Sequence, residues 1–360
     1  MTDAVAPTSA ETFSHRDLNA DRKIATWLFV VAGMVFGAVV IGGLTRLTES
    51  GLSITDWRPL TGWLPPMSDA EWMSVFERYK RIPEYFMLNA GMTVDEFKEI
   101  FWLEYIHRVW GRLIGVVFAL PFLWFLVTRR VDRQLFPILL GLFLLGGMQG
   151  GVGWFMVSSG LAERTDVSQY RLALHLGIAL MIYVLIIRTA FWLRRGRQAP
   201  DPASRGLRRP FWCLLVLIGV TIISGAFVAG LNAGMTYNTF PLMDGDLVPG
   251  YLYEMSPAWL SAFEDIATVQ FNHRLLAMMT LAVVLWVFVW SIASGRPRAV
   301  KQAGGAIAIV AVCQVTLGIA TLLSVVRIDL ASLHQCGAVV LLTTVLWALE
   351  KLSRPASSST

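Results

Sequence analysis

Four of the five histidines in this 360-residue chain, His107, His175, His273 and His334, stand near the starts of four long apolar segments. The fifth, His15, lies in a polar N-terminal stretch without a partner pattern and is expected to be solvated. An ionisable side chain at membrane depth is costly and therefore points to function. A single imidazole could serve only to bond a neighbouring helix, but four at matching places argue for a shared task. The densest stretch is Glu104–Arg112, EYIHRVWGR, which adds a carboxylate and two arginines to His107 at the mouth of a segment running to Thr128.

Imidazole suits iron, copper, zinc and nickel. Each half of the chain supplies two such histidines and no cysteine or second carboxylate to complete a tetrahedral set. Glycines beside the histidines, Gly111 and Gly115 near His107 and Gly177 near His175, leave room for a flat macrocycle, so haem fits best. An arginine follows the histidine twice, as Arg108 and Arg274, and a haem propionate is its natural partner. Arg171, one turn before His175, and Arg327, two turns before His334, are candidates for the same part. Glu104 precedes His107 by three residues on one helix face, whereas Gln270 holds the matching place before His273. That asymmetry points to chemistry in the N-terminal half and a permanent redox haem in the C-terminal half. Glu104 is then the candidate catalytic group, as acid/base or as a stabiliser of positive charge. The spacing equally allows a surface ion pair with Arg108.

These side chains need elements to position them. Hydrophobic residues make up 55% of the chain and charged ones only 15%, well below the share of about 25% in soluble domains. The expected fold class is an all-α integral membrane protein with eight transmembrane helices at about 24–44, 105–128, 135–158, 171–193, 211–231, 270–293, 303–326 and 330–349. With the N-terminus inside, the inner segments hold 17 Lys and Arg against 7 Asp and Glu, and the outer ones 12 against 18. Basic excess marks cytoplasmic loops, so both termini are expected in the cytoplasm and all four histidines toward the outer side. The arginines are spread over short loops, which excludes a nucleic-acid partner. Cys213, Cys313 and Cys336 all fall inside apolar segments, excluding an outer-loop disulfide, and no haem-attachment C-x-x-C-H is present. The first 23 residues lack a signal-peptide pattern, so the first helix is expected to be retained. In the long outer loop, Ser68–Glu71 and Thr93–Glu96 read as capping boxes opening amphipathic helices, the second able to run on into the next span.

The second half repeats the first. Residues 41–60 align without gaps onto 223–242 at an offset of 182, and His107-Arg108 onto His273-Arg274 at 166. Gln149 and Gly153 match Gln314 and Gly318, and Leu174-His175 matches Leu333-His334. Two pseudo-symmetric four-helix bundles in parallel orientation are expected. The division is a cytoplasmic tail 1–23, an N-terminal half 24–193 with its outer loop 45–104, an Arg-rich cytoplasmic linker 194–209, a C-terminal half 210–350 and a tail 351–360. Two other functions fit four histidines: a two-haem b-type membrane electron carrier, and a haem or metal transporter. The transporter is disfavoured because acidic residues are absent from the helix interiors.

The segments GGLTRLTESGLSITDWRPLTGWLPP, EYIHRVWGR, QGGVGWFMVSSGL, NAGMTYNTFPLMDG, FNHR and SLHQ together resemble haem A synthase, over residues 24 to 350. The resemblance implies an eight-helix oxidoreductase of the bacterial inner membrane that converts the ring-D methyl group of haem O to the formyl group of haem A by successive hydroxylations, for cytochrome oxidase biogenesis. It implies that His107 and His175 hold the substrate haem, that His273 and His334 are axial ligands of a haem b cofactor, and that Glu104 is the essential glutamate. Haem O synthase, a protohaem farnesyltransferase, and cytochrome oxidase assembly factors are implied partners, with a membrane electron acceptor unidentified and a homo-oligomer left open. Some members carry an outer-loop cysteine pair. This chain has none and resembles the branch without it.

Overall fold

Apolar runs of this length have one way to satisfy their backbone within lipid, the α-helix, and they take it. The computed structural model describes residues 9–354 apart from 60, 162–164 and 294, and of residues 9–17 the backbone only. In chain order the helices are α1 (Ser9–Leu47), α2 (Asp69–Tyr79), α3 (Pro83–Met87), α4 (Val94–Val127), α5 (Leu135–Val157), α6 (Gln169–Arg194), α7 (Arg205–Gly230), α8 (Ser261–Glu264), α9 (Ile266–Ile292), α10 (Arg298–Leu323) and α11 (Ile328–Lys351). Eight of them, α1, α4 to α7 and α9 to α11, are long and apolar enough to cross a membrane, so the chain is an all-helical, multi-pass membrane protein. Helix α1 begins well before the expected start at 24 and takes in part of the polar tail. The surroundings of His15, and residues 1–8 and 355–360, lie outside the described residues.

Packing follows one pattern twice. Helix α1 lies against α4 and α6, and α5 against α4 and α6; α7 lies against α9 and α11, and α10 against α9 and α11. The two sets meet along α6–α7, α1–α11 and α6–α11. In each set the histidine-bearing helices, α4 with α6 and α9 with α11, do not pack closely on one another, nor do α1 with α5 or α7 with α10, so each forms a diagonal pair. Buried apolar side chains such as Leu28, Leu139, Ile186, Leu214 and Val345 fill the end of the bundle away from the histidines.

A second, smaller core roofs the histidine end of the first set. Phe76 and Tyr79 of α2 pack with Phe97 and Phe101 of α4, with Leu52 of the loop and Val157 of α5. Helix α4 has 34 residues, about 51 Å at 1.5 Å per residue. It therefore extends beyond a hydrocarbon core of about 30 Å, and its first turns belong to this roof. Thr93 and Glu96 make the full capping box, unbroken into the span as the spacing allowed. At α2 Ser68 caps as expected, accepting from the Glu71 amide at 3.3 Å, but the Glu71 carboxylate accepts from the Met67 amide at 2.6 Å instead of from Ser68. Inside the roof Glu84 is 2% exposed; Tyr79 Oη donates to it at 3.0 Å, and Asn89 Nδ2 donates to Tyr79 Oη at 2.7 Å. Burial pushes the Glu84 carboxyl up to about 8.

Candidate functional site: two diagonal histidine pairs

Each histidine packs on a glycine of the helix next to its own. A Cβ on Gly42 of α1 would lie 2.7 Å from His107 Cε1, and one on Gly153 of α5 would lie 3.0 Å from His175 Cε1. In the other set the distances are 3.1 Å from Gly225 of α7 to His273 Cε1 and 2.7 Å from Gly318 of α10 to His334 Cε1. Any side chain there would displace the ring. For His107, His175 and His334 the Cε1–Nδ1 edge faces the glycine and Nε2 lies farther from it; for His273 the two nitrogens are equidistant at 3.7 Å, and there Ser224 takes Nδ1. The nitrogen left over for a ligand is Nε2, and the two imidazoles of each set lie within electrostatic reach of one another.

A ligating imidazole needs its other nitrogen held, because that bond fixes the tautomer and the plane of the ring. Ser224 Oγ donates to the Thr221 carbonyl at 2.8 Å and stands 2.7 Å from His273 Nδ1, where it can accept the Nδ1 proton. His334 Nδ1 is 3.2 Å from the Gln314 carbonyl, and Gln314 Nε2 donates to the His334 carbonyl at 2.9 Å. Gln149 makes the matching bond to the His175 carbonyl at 2.9 Å and lies 3.1 Å from its Nδ1. His107 differs: its buried Nδ1 has no hydrogen-bond partner among the described residues. Two imidazoles on helices that do not pack closely on one another are a donor set that would fit the iron of a haem in each set. Among the described residues no group of three or more His, Cys, Asp or Glu side chains could hold a bare metal ion.

Glu104 is 3% exposed, so the surface ion pair that its spacing allowed is instead a buried one. Its Oε1 accepts from Arg108 Nε at 2.9 Å and Nη2 at 2.6 Å. Its Oε2 accepts from Ser53 Oγ at 2.6 Å and the Ile54 amide at 2.8 Å. Arg108 also donates to the carbonyls of Ile54 at 2.6 Å and Asp56 at 2.9 Å. The pair thus latches the first outer loop to α4. Across the repeat Gln270 does the same with opposite polarity: its Nε2 donates to the carbonyls of Ala233 at 2.8 Å and Thr236 at 2.6 Å, and its Oε1 accepts from Arg274 Nη2 at 3.0 Å. A carboxylate stands where the loop offers donors, an amide where the loop offers acceptors.

The four arginines fall into two kinds. Arg108 is neutralised by Glu104, and the exposed Arg327 by Asp329 at 2.6 Å. Arg274 binds the carbonyls of Tyr237 and Thr239, and Arg171 the carbonyl of Phe155 at 2.6 Å and Ser158 Oγ at 3.1 Å; neither pairs with a carboxylate among the described residues. Sequence reasoning missed Ser224, the cradle glycines Gly42 and Gly225, and Gln335, which donates to the Val39 carbonyl at 2.9 Å across the α11–α1 seam. Gly43 makes room for Gln335, since a Cβ there would overlap its amide.

The repeat register also differs by one residue from the gap-free alignment. Arg108 binds carbonyls 54 and 56 and Arg274 binds 237 and 239, an offset of 183, not 182. Gly42 with Gly225, and the left-handed residues Glu49 (φ 53°) with Asn232 (φ 51°), share it.

A family model described as cytochrome oxidase assembly protein matches residues 25–346. Heme A synthase of Rhodospirillum centenum is 54% identical over 340 residues, covering 94% of this chain and 91% of the relative. Heme A synthases of Parvibaculum lavamentivorans, at 49%, and Nitrosospira multiformis, at 47%, each cover 92% of this chain and 94% of their own length. With the match running through all eight spans and all four histidines, the chain belongs to the cytochrome oxidase assembly protein family in which these heme A synthases stand.

Proposed function

We propose that this chain is a haem A synthase of the bacterial inner membrane, oxidising the ring-D methyl group of haem O to a formyl group by successive hydroxylations. The observation that carries the reading is the pair of diagonal histidine sets, alike in their glycine cradles and unlike in how their Nδ1 atoms are held. His107, whose Nδ1 has no hydrogen-bond partner among the described residues, and His175 bind the haem that must arrive and leave; an imidazole held by packing without a bond at Nδ1 suits exchange. His273 and His334, each anchored through Nδ1, hold a resident haem b. When bound, that haem supplies a one-electron redox centre close to the substrate site. The rest belongs to the chain's own residues: the glycines set ring planes, the roof over α4 excludes water from the substrate side, and Arg274 and Arg171 offer uncompensated charge to propionates. Glu104 holds negative charge three residues from His107 and closes the loop that covers it, so it both positions the site and can stabilise positive charge on the oxidised substrate.

In this reading the two helix sets are pseudo-symmetric four-helix bundles, both termini are cytoplasmic, and haem O reaches the protein from the synthase that makes it. Co-expression with a haem O source, followed by haem extraction from the purified protein, tests it: haem A or its alcohol precursor must accumulate. A two-haem electron carrier, the second reading, is favoured by the bis-histidine sets alone and would yield unmodified haem only.

A further inference from the structure

The end of the bundle opposite the histidines holds a partly open cavity between α6, α7 and α11. Three guanidinium groups line it, Arg188 of α6, Arg195 just past the end of α6 and Arg208 of α7, against one carboxylate, Glu350 of α11. Arg195 is paired with Glu350. Among the described residues Arg188 packs on the face of Trp212, 4.6 Å away, and the buried Nε of Arg208 has no hydrogen-bond partner. Two positive charges are therefore left uncompensated beside an apolar wall that includes Leu346 and Leu349. Arg188 lies six residues before the end of α6, about 9 Å inside the helix, and its side chain is open to the outside of the bundle. A cation on the exposed side of a spanning helix is stabilised by an anion close by, and the one carboxylate of the cavity is already paired with Arg195.

We propose that this cavity binds the phosphate head group of an anionic glycerophospholipid, with its acyl chains leaving along the exposed face beside Arg188. Basic pockets between spanning helices are places where such head groups settle. A free phosphate ion shares the chemistry but brings no acyl chains to cover the exposed apolar side chains beside Arg188, such as Leu185. The site joins the last helix of the first set to two helices of the second, so its lipid would tie the two sets together at the end far from the haem sites. It involves none of the residues assigned to haem.

The test is native mass spectrometry of the purified full-length protein, stripped of lipid and titrated with dioleoyl phosphatidylglycerol or dioleoyl phosphatidylcholine. Two uncompensated arginines lead us to expect a preference of ~10-fold or more for the anionic lipid. Arg188→Gln with Arg208→Gln removes that preference; Arg188→Gln alone, at an exposed position, weakens it severalfold and serves if the double variant is not recovered. Lys98→Gln, in the roof at the other end, leaves it unchanged. Equal binding of the two lipids, or a preference that survives both arginine variants, overturns the proposal. So does inorganic phosphate at millimolar concentration fully displacing the lipid, which would mark a free-anion site.

Discussion

Glu104→Gln changes one atom and should open a loop. The carboxylate accepts four bonds, two from Arg108 and one each from Ser53 Oγ and the Ile54 amide. An amide can accept on one side only. If its oxygen stays toward Arg108, its nitrogen faces the Ile54 N–H, donor against donor, while Ser53 can rotate to accept. The half-buried Ile54 amide then loses its partner, at about 1–3 kcal/mol, and Arg108 loses its counter-charge. Breaking a buried pair costs about 3–5 kcal/mol, but Arg108 keeps the carbonyls of Ile54 and Asp56, so about 3 kcal/mol is a fair total. That is a factor of ~10² in the opening equilibrium. Hydrogen exchange followed by mass spectrometry should show residues 53–58 exchanging ~100-fold faster, with the spanning segments unchanged. Gln270→Glu should loosen the 233–239 loop at least as much, by setting a carboxylate against two carbonyl oxygens. Unaltered exchange in the 53–58 loop of Glu104→Gln would refute the latch and leave Glu104 with a purely chemical part.

Three further predictions rest on separate contacts. Gly318→Ala places a methyl 2.7 Å from His334 Cε1 and should lower haem b retained after purification, read from its absorbance; Gly33→Ala, with nothing within 4 Å, should not. Ser224→Ala removes the partner of His273 Nδ1 and should weaken haem b binding ~10-fold or more while turning its reduction potential positive, as expected for a less basic imidazole. The Glu84 carboxyl, raised by burial to about 8 in the fold from an ordinary 4.5, keeps its proton where the unfolded chain has lost it. The roof should therefore be most stable below pH 4.5 and lose stability steadily as pH rises through 8, and Glu84→Gln should flatten that dependence in thermal melts at pH 6 and 9.

The spans, the histidine depth and the Thr93 cap were legible because each rests on local pattern: apolar length, residue type near a helix mouth, a four-residue motif. What was not legible depends on which way a loop's backbone points. EYIHR reads the same whether Arg108 faces a propionate or the carbonyls of Ile54 and Asp56, and Glu104 reads the same exposed or buried. The Glu104/Gln270 difference reads in the sequence as a sign of chemistry; the loops explain it as well, by presenting donors in one half and acceptors in the other. The one-residue slip in the repeat has a similar origin. Matching letters at Ile41 with Ile223 and at Pro59 with Pro241 favoured 182, but the glycine that must face an imidazole is Gly42 in one set and Gly225 in the other. Ser224 was visible only as a mismatch within that alignment.

The central claim is a division of labour between the two histidine pairs, and haem extraction from four single variants purified beside a haem O source tests it most directly. His273→Ala and His334→Ala should come out without haem b, whereas His107→Ala and His175→Ala should keep haem b and contain no haem A or alcohol precursor. Equal loss of haem b in all four variants would contradict the account.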